Sequence, residues 1–209
     1  REVLGVVWDA PTEPEGAPEA AATKFVTSPL AELPPLSAAW RHVVTFSANY
    51  YQRSLGEVAL AALPPQLRDL QPEQLARRLK RARPDAVAPQ GSAVPALTPE
   101  QQDALAQVQA ETGPFLLFGA TGSGKTEVYL QAVQRLLDGD PQAQALVMVP
   151  EINLTPQLHE RFVARFGETA VVAMHSGMTP AQRLKAWLAA HLGLARIVLG
   201  TRMAVFASM

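Results

Sequence analysis

The eight residues Gly119-Ala120-Thr121-Gly122-Ser123-Gly124-Lys125-Thr126 match the pattern G-x-x-x-x-G-K-[ST], between the apolar stretch Pro114-Phe115-Leu116-Leu117-Phe118 and an amphipathic segment. This feature constrains the chain most, because such a loop works as a phosphate cradle where a strand hands over to a helix. Its glycines let the backbone approach a polyphosphate closely. Successive N–H groups from Ala120 to Lys125 then point at phosphate oxygens at the positive end of a helix. Lys125 supplies a point charge for the outer phosphates, and the Thr126 hydroxyl suits the Mg²⁺ that accompanies a nucleoside triphosphate. The residues imply ATP or GTP with Mg²⁺. The alternative is an accidental glycine-rich turn, and four fixed positions coincide by chance in well under about 1% of chains this long.

Composition narrows the setting more than the function. A chain of 209 residues with 48% apolar content holds one large domain or two small ones, and the shift in pattern along it favours two. Its net charge of -1 means that a polyanion must be met by a local patch. The absence of cysteine excludes disulfides and thiolate metal sites, and the four histidines show no ligand spacing. Nothing resembles a signal peptide, and no apolar run approaches the roughly 20 residues that span a bilayer. A cytoplasmic setting without membrane contact is therefore the expectation. Arg1 in first place and the partly apolar ending Val205 to Met209 read as a piece of a longer protein.

Along the chain, Val3 to Trp8 reads as a strand, Ala10 to Ala22 as a loop rich in Ala, Pro and Glu, and Lys24-Phe25-Val26 as a returning strand. Trp40, Val43, Val44, Ser47 and Tyr51 follow a helical stripe, as do Leu55, Val58, Ala59 and Ala62. The aromatic residues Trp40, Tyr50 and Tyr51 suit either base stacking or core packing, and packing is the reading adopted. Residues 77 to 83 place five cations in seven positions ahead of a Pro, Ala and Gly-rich linker reaching Ala96. That cluster reads either as a phosphate contact or as a solvated helix face.

From Thr98 the pattern becomes alternating helices and short apolar strands. Thr98-Pro99-Glu100-Gln101 writes a capping box with proline at the first helical position, and Thr155-Pro156 and Thr179-Pro180 repeat the threonine-proline opening. Ala145 to Val149, Ala170 to Met174 and Arg196 to Leu199 look like strands buried on both faces, so the order is that of a parallel α/β sheet. Ligands gather at the carboxyl ends of such strands, which collects the loops at 119–125, 150–155, 175–178 and 200–203 on one rim. His175-Ser176-Gly177 reads as a loop rather than a catalytic group, since no triad accompanies it.

Read together, Thr121 to Tyr129, Val149-Pro150-Glu151-Ile152 with Leu154-Thr155-Pro156-Gln157, His175-Ser176-Gly177, and Gly200-Thr201-Arg202 resemble the PriA family of primosomal replication-restart DNA helicases. The match runs nearly unbroken from about Leu97 to Phe206. A looser likeness covers Tyr50-Tyr51, Leu55 to Val58 and Ala62-Leu63-Pro64, similar to the end of that family's 3′-DNA-end-binding domain. The resemblance implies an α/β fold: the first RecA-like motor lobe, a P-loop parallel sheet that is incomplete here, preceded by a small α+β, β-rich DNA-binding module. Its boundaries would be 1–69 for the partial end-binding domain, 70–96 for the basic segment and linker, and 97–209 for the motor lobe, stopping before the acidic Mg-binding motif. The family's winged helix is absent from 70–96 or not included, and Asn153 and Met203 stand where small residues are usual.

The same resemblance assigns roles to residues. Lys24 takes the place of a lysine that helps hold a DNA 3′ end, and Gln101 that of a glutamine pairing with adenine, which would favour ATP over GTP. A structural reading of Gln101, closing the capping box, stands beside that one. Pro150, Glu151, Thr201 and Arg202 look like the parts of the lobe that face a single strand, with Glu151 positioning backbone or basic neighbours. The implied whole is an ATP-driven 3′ to 5′ DNA translocase that binds forks, single-stranded DNA and 3′ ends in a bacterial, nucleoid-associated setting. Its implied partners are primosome proteins, single-stranded DNA-binding protein and a replicative helicase loader, and zinc belongs only to the missing C-terminal half. This piece alone is expected to hydrolyse ATP negligibly. The alternatives are a fork-binding scaffold with an inactive motor and, more remotely, a small-molecule kinase.

Overall fold

The computed structural model describes residues 5–8, 29–70, 72–82, 95–150 and 155–209. The amino-terminal part of this is helical. Ser37 and Ser54 cap α1 (Ala38–Tyr50) and α2 (Leu55–Ala62) by accepting from Trp40 and Glu57 amides. A 3-10 turn, Pro65–Asp69, leads into α3 (Pro72–Ala82). The returning strand, the loop at 10–22 and most of the linker lie outside the described residues, and Gly5 to Trp8 forms no strand. Within the basic cluster, Arg77 and Arg78 are exposed on α3.

Threonine caps with proline at the first position open the later helices as the sequence leads one to expect. Thr98 and Thr179 form full capping boxes with Gln101 and Gln182, starting α4 (Pro99–Ala110) and a helix named below, while Thr155 accepts from the Leu158 amide without a box. The phosphate-loop pattern runs into α5 (Lys125–Gly139). Three parallel strands follow, β1 (Ala145–Met148), β2 (Val171–Met174) and β3 (Ile197–Gly200), in the spatial order β1-β3-β2. Their crossovers are α6 (Pro156–Phe166) and α7 (Pro180–His191). Met148 and Met174 both register with Gly200, so all three strands end on one rim.

Burial divides the sheet by face. Ile197 and Leu199 point toward α5 and α6, where they meet Leu130, Val133 and Phe162, while Val198 points toward α7 and meets Leu184, Trp187 and Leu188. Only β3 is buried throughout; Leu146 and Met148 of β1 are exposed because β1 is an edge. The expectation of double-sided burial therefore holds for the central strand alone. The α7 side also receives Trp40 and Val44 of α1, Ala59 of α2, Leu63, Leu67 and Leu70 around the 3-10 turn, and Leu75 of α3. The amino-terminal helices and the sheet domain thus share a single apolar cluster.

Two sequence expectations need correction. Trp40 is buried, but Tyr50 and Tyr51 are exposed, forming an open aromatic group with Phe46: Phe46 stacks on Tyr50 at 5.8 Å, and Tyr50 meets Tyr51 edge-on at 5.0 Å. The reason is angular. Trp40, Val44 and Ala48 recur every four residues along the buried face, and ten residues past Trp40 an α-helix has turned Tyr50 well away from it. The second correction concerns 114–118, the strand half of the strand-to-helix junction. It is extended but unpaired among the described residues, with Leu116 and Phe118 about nine-tenths exposed. A strand exists only with a ladder neighbour, and the sheet of the described residues consists of β1, β3 and β2 without this segment.

Candidate functional site

The phosphate loop is shaped by its glycines. Gly122 and Gly124 lie at φ +85° and +80°, where a side chain would be strained, and Gly124 is the residue from which α5 starts. A Cβ on Gly119 would sit 2.7 Å from Ser123 Oγ, and one on Gly124 would run into Gln101 Nε2. The first turn of α5 therefore presents its open N–H groups, starting at Lys125, beside a backbone bare of side chains.

The lysine of this loop is turned inward. Lys125 Nζ donates to the carbonyls of Gly119 at 2.6 Å and Ala120 at 2.8 Å, so its partners among the described residues are neutral oxygens. Its charge is thus held but not neutralised, ready for a stronger acceptor. Ser123 N donates to Ala120 O at 3.2 Å, closing a turn over the space the glycines leave. The hydroxyl of Thr126 accepts from Tyr129 Oη at 3.0 Å, which fixes it on the first turn of α5 and leaves its own proton and a lone pair to spare.

Gln101 joins this loop to α4. Its Oε1 accepts from the Thr98 amide at 2.9 Å, as the capping box requires, and its Nε2 donates to Ser123 O at 3.1 Å. A glutamine amide has two lone pairs and two N–H groups, so both bonds leave one acceptor and one donor free for a base edge. The tie to Ser123 was invisible in the sequence, where the box was the only signal. Behind the loop, Glu127 and Arg165 form an ion pair at 3.0 Å with the guanidinium mostly buried, linking α5 to α6. Glu127 also accepts from Gln131 at 3.0 Å.

The rim at the strand ends is uneven. Pro150 is exposed just beyond β1 and Arg202 is exposed just beyond β3, but Thr201 between them in the series is 1% exposed, its amide donating to Met174 O at 3.0 Å. The Thr201 hydroxyl therefore does not face solvent as a phosphate contact on the rim would. His175 stays a loop residue, its amide directed at Met178 Sδ. Lys24 and Glu151 lie outside the described residues. The structure thus brings Gly119 to Thr126 together with Gln101, and it separates Pro150 and Arg202 from the buried Thr201.

The glycine cradle, the ammonium held on neutral carbonyls and the helix start fit a triphosphate, with Gly119 to Thr126 as its holders. For Mg²⁺ they offer Thr126 alone, and among the described residues no group of acidic or histidine side chains could hold a metal ion. Among the described residues no helix is long and apolar enough to cross a membrane.

Comparison with known proteins finds two family models along the chain: DEAD/DEAH box helicase over residues 98–209, and a 3′ DNA-binding domain over residues 1–64. Replication restart protein PriA of Synechocystis is 48% identical over 118 residues, 55% of this chain and 14% of that protein. PriA of Bacillus subtilis is 43% identical over 116 residues, 53% of this chain and 14% of the relative. PriA of Rickettsia felis is 28% identical over 207 residues, 99% of this chain and 29% of the relative. The chain spans less than a third of the length of these relatives.

Proposed function

We propose, from the premise that this chain belongs to the DEAD/DEAH box helicase family in its PriA form, that its full-length protein is an ATP-dependent 3′ to 5′ DNA helicase of replication restart. One observation carries the reading: a glycine-shaped loop at the start of α5 holds Lys125 on neutral carbonyls, so that a polyphosphate with a higher charge displaces them. ATP with Mg²⁺ would supply phosphoryl-transfer energy there. Lys125 would move from Gly119 O and Ala120 O to the outer phosphates, Thr126 would serve the metal, and Gln101 would offer its spare donor and acceptor to adenine while keeping Ser123 O.

Movement of Gly119 and Ala120 on losing Lys125 gives the chain its means of sensing nucleotide. The proposed strand-facing residues are Arg202 and Pro150 on the rim, with Glu151 proposed to position backbone or basic neighbours and Thr201 engaged only if the strand end opens. Lys24 is proposed for the 3′ end. DNA forks, single strands and 3′ ends are the proposed partners, with primosome proteins, single-stranded DNA-binding protein and a helicase loader beyond them in a bacterial cytoplasm. Zinc is proposed only for regions outside this chain.

The test is DNA-stimulated ATPase of the full-length protein with and without Lys125→Ala. The expected result is a loss of turnover of about a hundredfold or more, given the several kcal/mol that such electrostatic groups supply, with fork binding retained. Undiminished turnover would refute the motor reading. Absence of ATPase in the unaltered protein, with fork binding intact, would favour a scaffold with an inactive motor.

A further inference from the structure

The boundary between the two family models falls between residues 64 and 98, yet a buried seam of the molecule crosses it. Trp40 of α1 is 3% exposed and donates its indole N–H to Phe206 O at 3.0 Å, a bond between residues 166 positions apart. On the same seam, His191 at the end of α7 contacts Ser208 Oγ and Pro34 O, both at 2.9 Å, and stacks on Trp187 at 4.7 Å. Pro34 O can only accept, so Nε2 carries the ring proton and, in the neutral ring, Nδ1 accepts from the Ser208 hydroxyl. Three polar bonds thus tie the segment after β3 to Trp40 directly and to Pro34 through His191.

What they pin is the 3-10 turn Arg202–Phe206. It leaves β3 through Gly200, where a Cβ would collide with Met174 O and Ala204, so the turn folds back directly over the end of β2. At its two ends, Ala204 N donates to Thr201 O and Ala207 N to Ala204 O. Ala204 packs it against the strand ends on one side, while on the other a cavity of about 110 Å³ lies between it and α2, lined by Leu63, Pro64, Trp187, Met203 and Phe206. A short turn with space on one flank takes its position from its anchors, and the anchor at its last residue is Trp40.

We propose that Trp40 is a positioning residue for Arg202: helices α1 and α2, though matched by the DNA-end-binding model, act as part of the motor lobe and fix the turn that carries its strand-facing arginine. This rests on the reading of Arg202 as a strand contact. The seam then gives the end-binding module a direct hold on the motor's DNA rim.

The experiment is ATPase of the full-length protein titrated with a single-stranded oligodeoxynucleotide, for the unaltered protein, Trp40→Phe, Arg202→Ala and the double variant. Trp40→Phe keeps an aromatic ring in the core and removes the N–H together with part of the indole. It is expected to raise the DNA concentration for half-maximal stimulation about fivefold, the worth of one hydrogen bond, with the rate at saturating DNA unchanged. In the Arg202→Ala background the same change is expected to add nothing. Additive effects, or no effect of Trp40→Phe where Arg202→Ala weakens stimulation, would overturn the inference and leave the reading of Arg202 standing. If Arg202→Ala itself changes nothing, both fall. Should Trp40→Phe melt early, His191→Phe, which loses the Pro34 and Ser208 bonds but keeps the stack on Trp187, is held to the same non-additivity.

Discussion

Two parts of this molecule are built on opposite terms. Around α7 and β3, burial dominates: Leu184, Ile197 and Leu199 are fully buried and Trp187 nearly so, and Trp40 and His191 find carbonyl partners across the seam, while the buried N–H groups of Trp187 Nε1 and Arg183 Nε have none among the described residues. Around the phosphate loop, the apolar segment 114–118 lies open and Lys125 bonds the loop's own backbone. The first region is held by apolar burial within the chain. The second holds groups whose partners lie elsewhere, and such groups mark function more clearly than core packing does.

The sharpest way to break this contrast is to truncate one large side chain in each part. Trp187→Ala is expected to cost about 3–5 kcal/mol, the range for a buried aromatic replaced by alanine, and to lower the melting temperature by roughly 10 °C for a chain of this size. Phe118→Ser, at a residue about nine-tenths exposed, is expected to stay within about 0.5 kcal/mol of the unaltered chain. Thermal melts followed by circular dichroism read both. A large cost at Phe118 would show that 114–118 is packed in solution, and would erase the difference between the regions.

A smaller effect separates conformation from contact in the loop. In Gly124→Ala the added methyl meets Gln101 Nε2, the mobile end of a side chain that can swing aside, whereas the backbone at φ +80° cannot relax so cheaply. The stability cost is expected near 1–2 kcal/mol, that of a side chain in the left-handed region. The nucleotide affinity, measured by titrating a fluorescent ATP analogue onto the full-length protein, is expected to fall by tenfold or more, because the methyl also enters the cradle. Unaltered affinity with reduced stability would mean that Gly124 serves the fold and not the ligand.

These contrasts also explain what the sequence made legible. Local rules carried well: the threonine-proline openings predicted α4, α6 and α7 within a residue, and the short apolar runs became β1, β2 and β3. Those signals lie in neighbouring residues and survive in any context. Tyr50 and Tyr51 failed because a helical stripe fixes which residues share a face only while the register is followed over every turn, and Tyr51 already stands in the C-cap. The segment 114–118 failed because pairing depends on strands far away in sequence. At the candidate site, the glycine pattern was readable, but the Gln101–Ser123 and Trp40–Phe206 bonds were not, since neither spacing leaves a local trace.

The smallest expected effect lies in the seam and depends on pH. Burial holds the His191 imidazole below its ordinary value of 6.5, and the bond to Pro34 O opposes this only in part. Protonation would not by itself break the contact with Ser208, because that hydroxyl can rotate from donor to acceptor; the cost is placing a charge where water is scarce. With the folded value depressed, the folded state binds fewer protons than the unfolded chain as pH falls below about 6.5. The contribution of His191 is therefore present in full above that pH and is lost as pH falls through the folded value. His191→Gln keeps a donor for Pro34 O and an acceptor for Ser208 without the titration. Melting temperatures of the two forms are expected to differ little at one end of the range and to diverge between pH 7 and 5, the unaltered protein losing more by a degree or two, within the roughly 2–4 °C that 1 kcal/mol is worth at this size. Parallel curves would mean that the seam admits enough water to solvate the imidazolium, and the firm region would then be softer at this joint than its burial indicates.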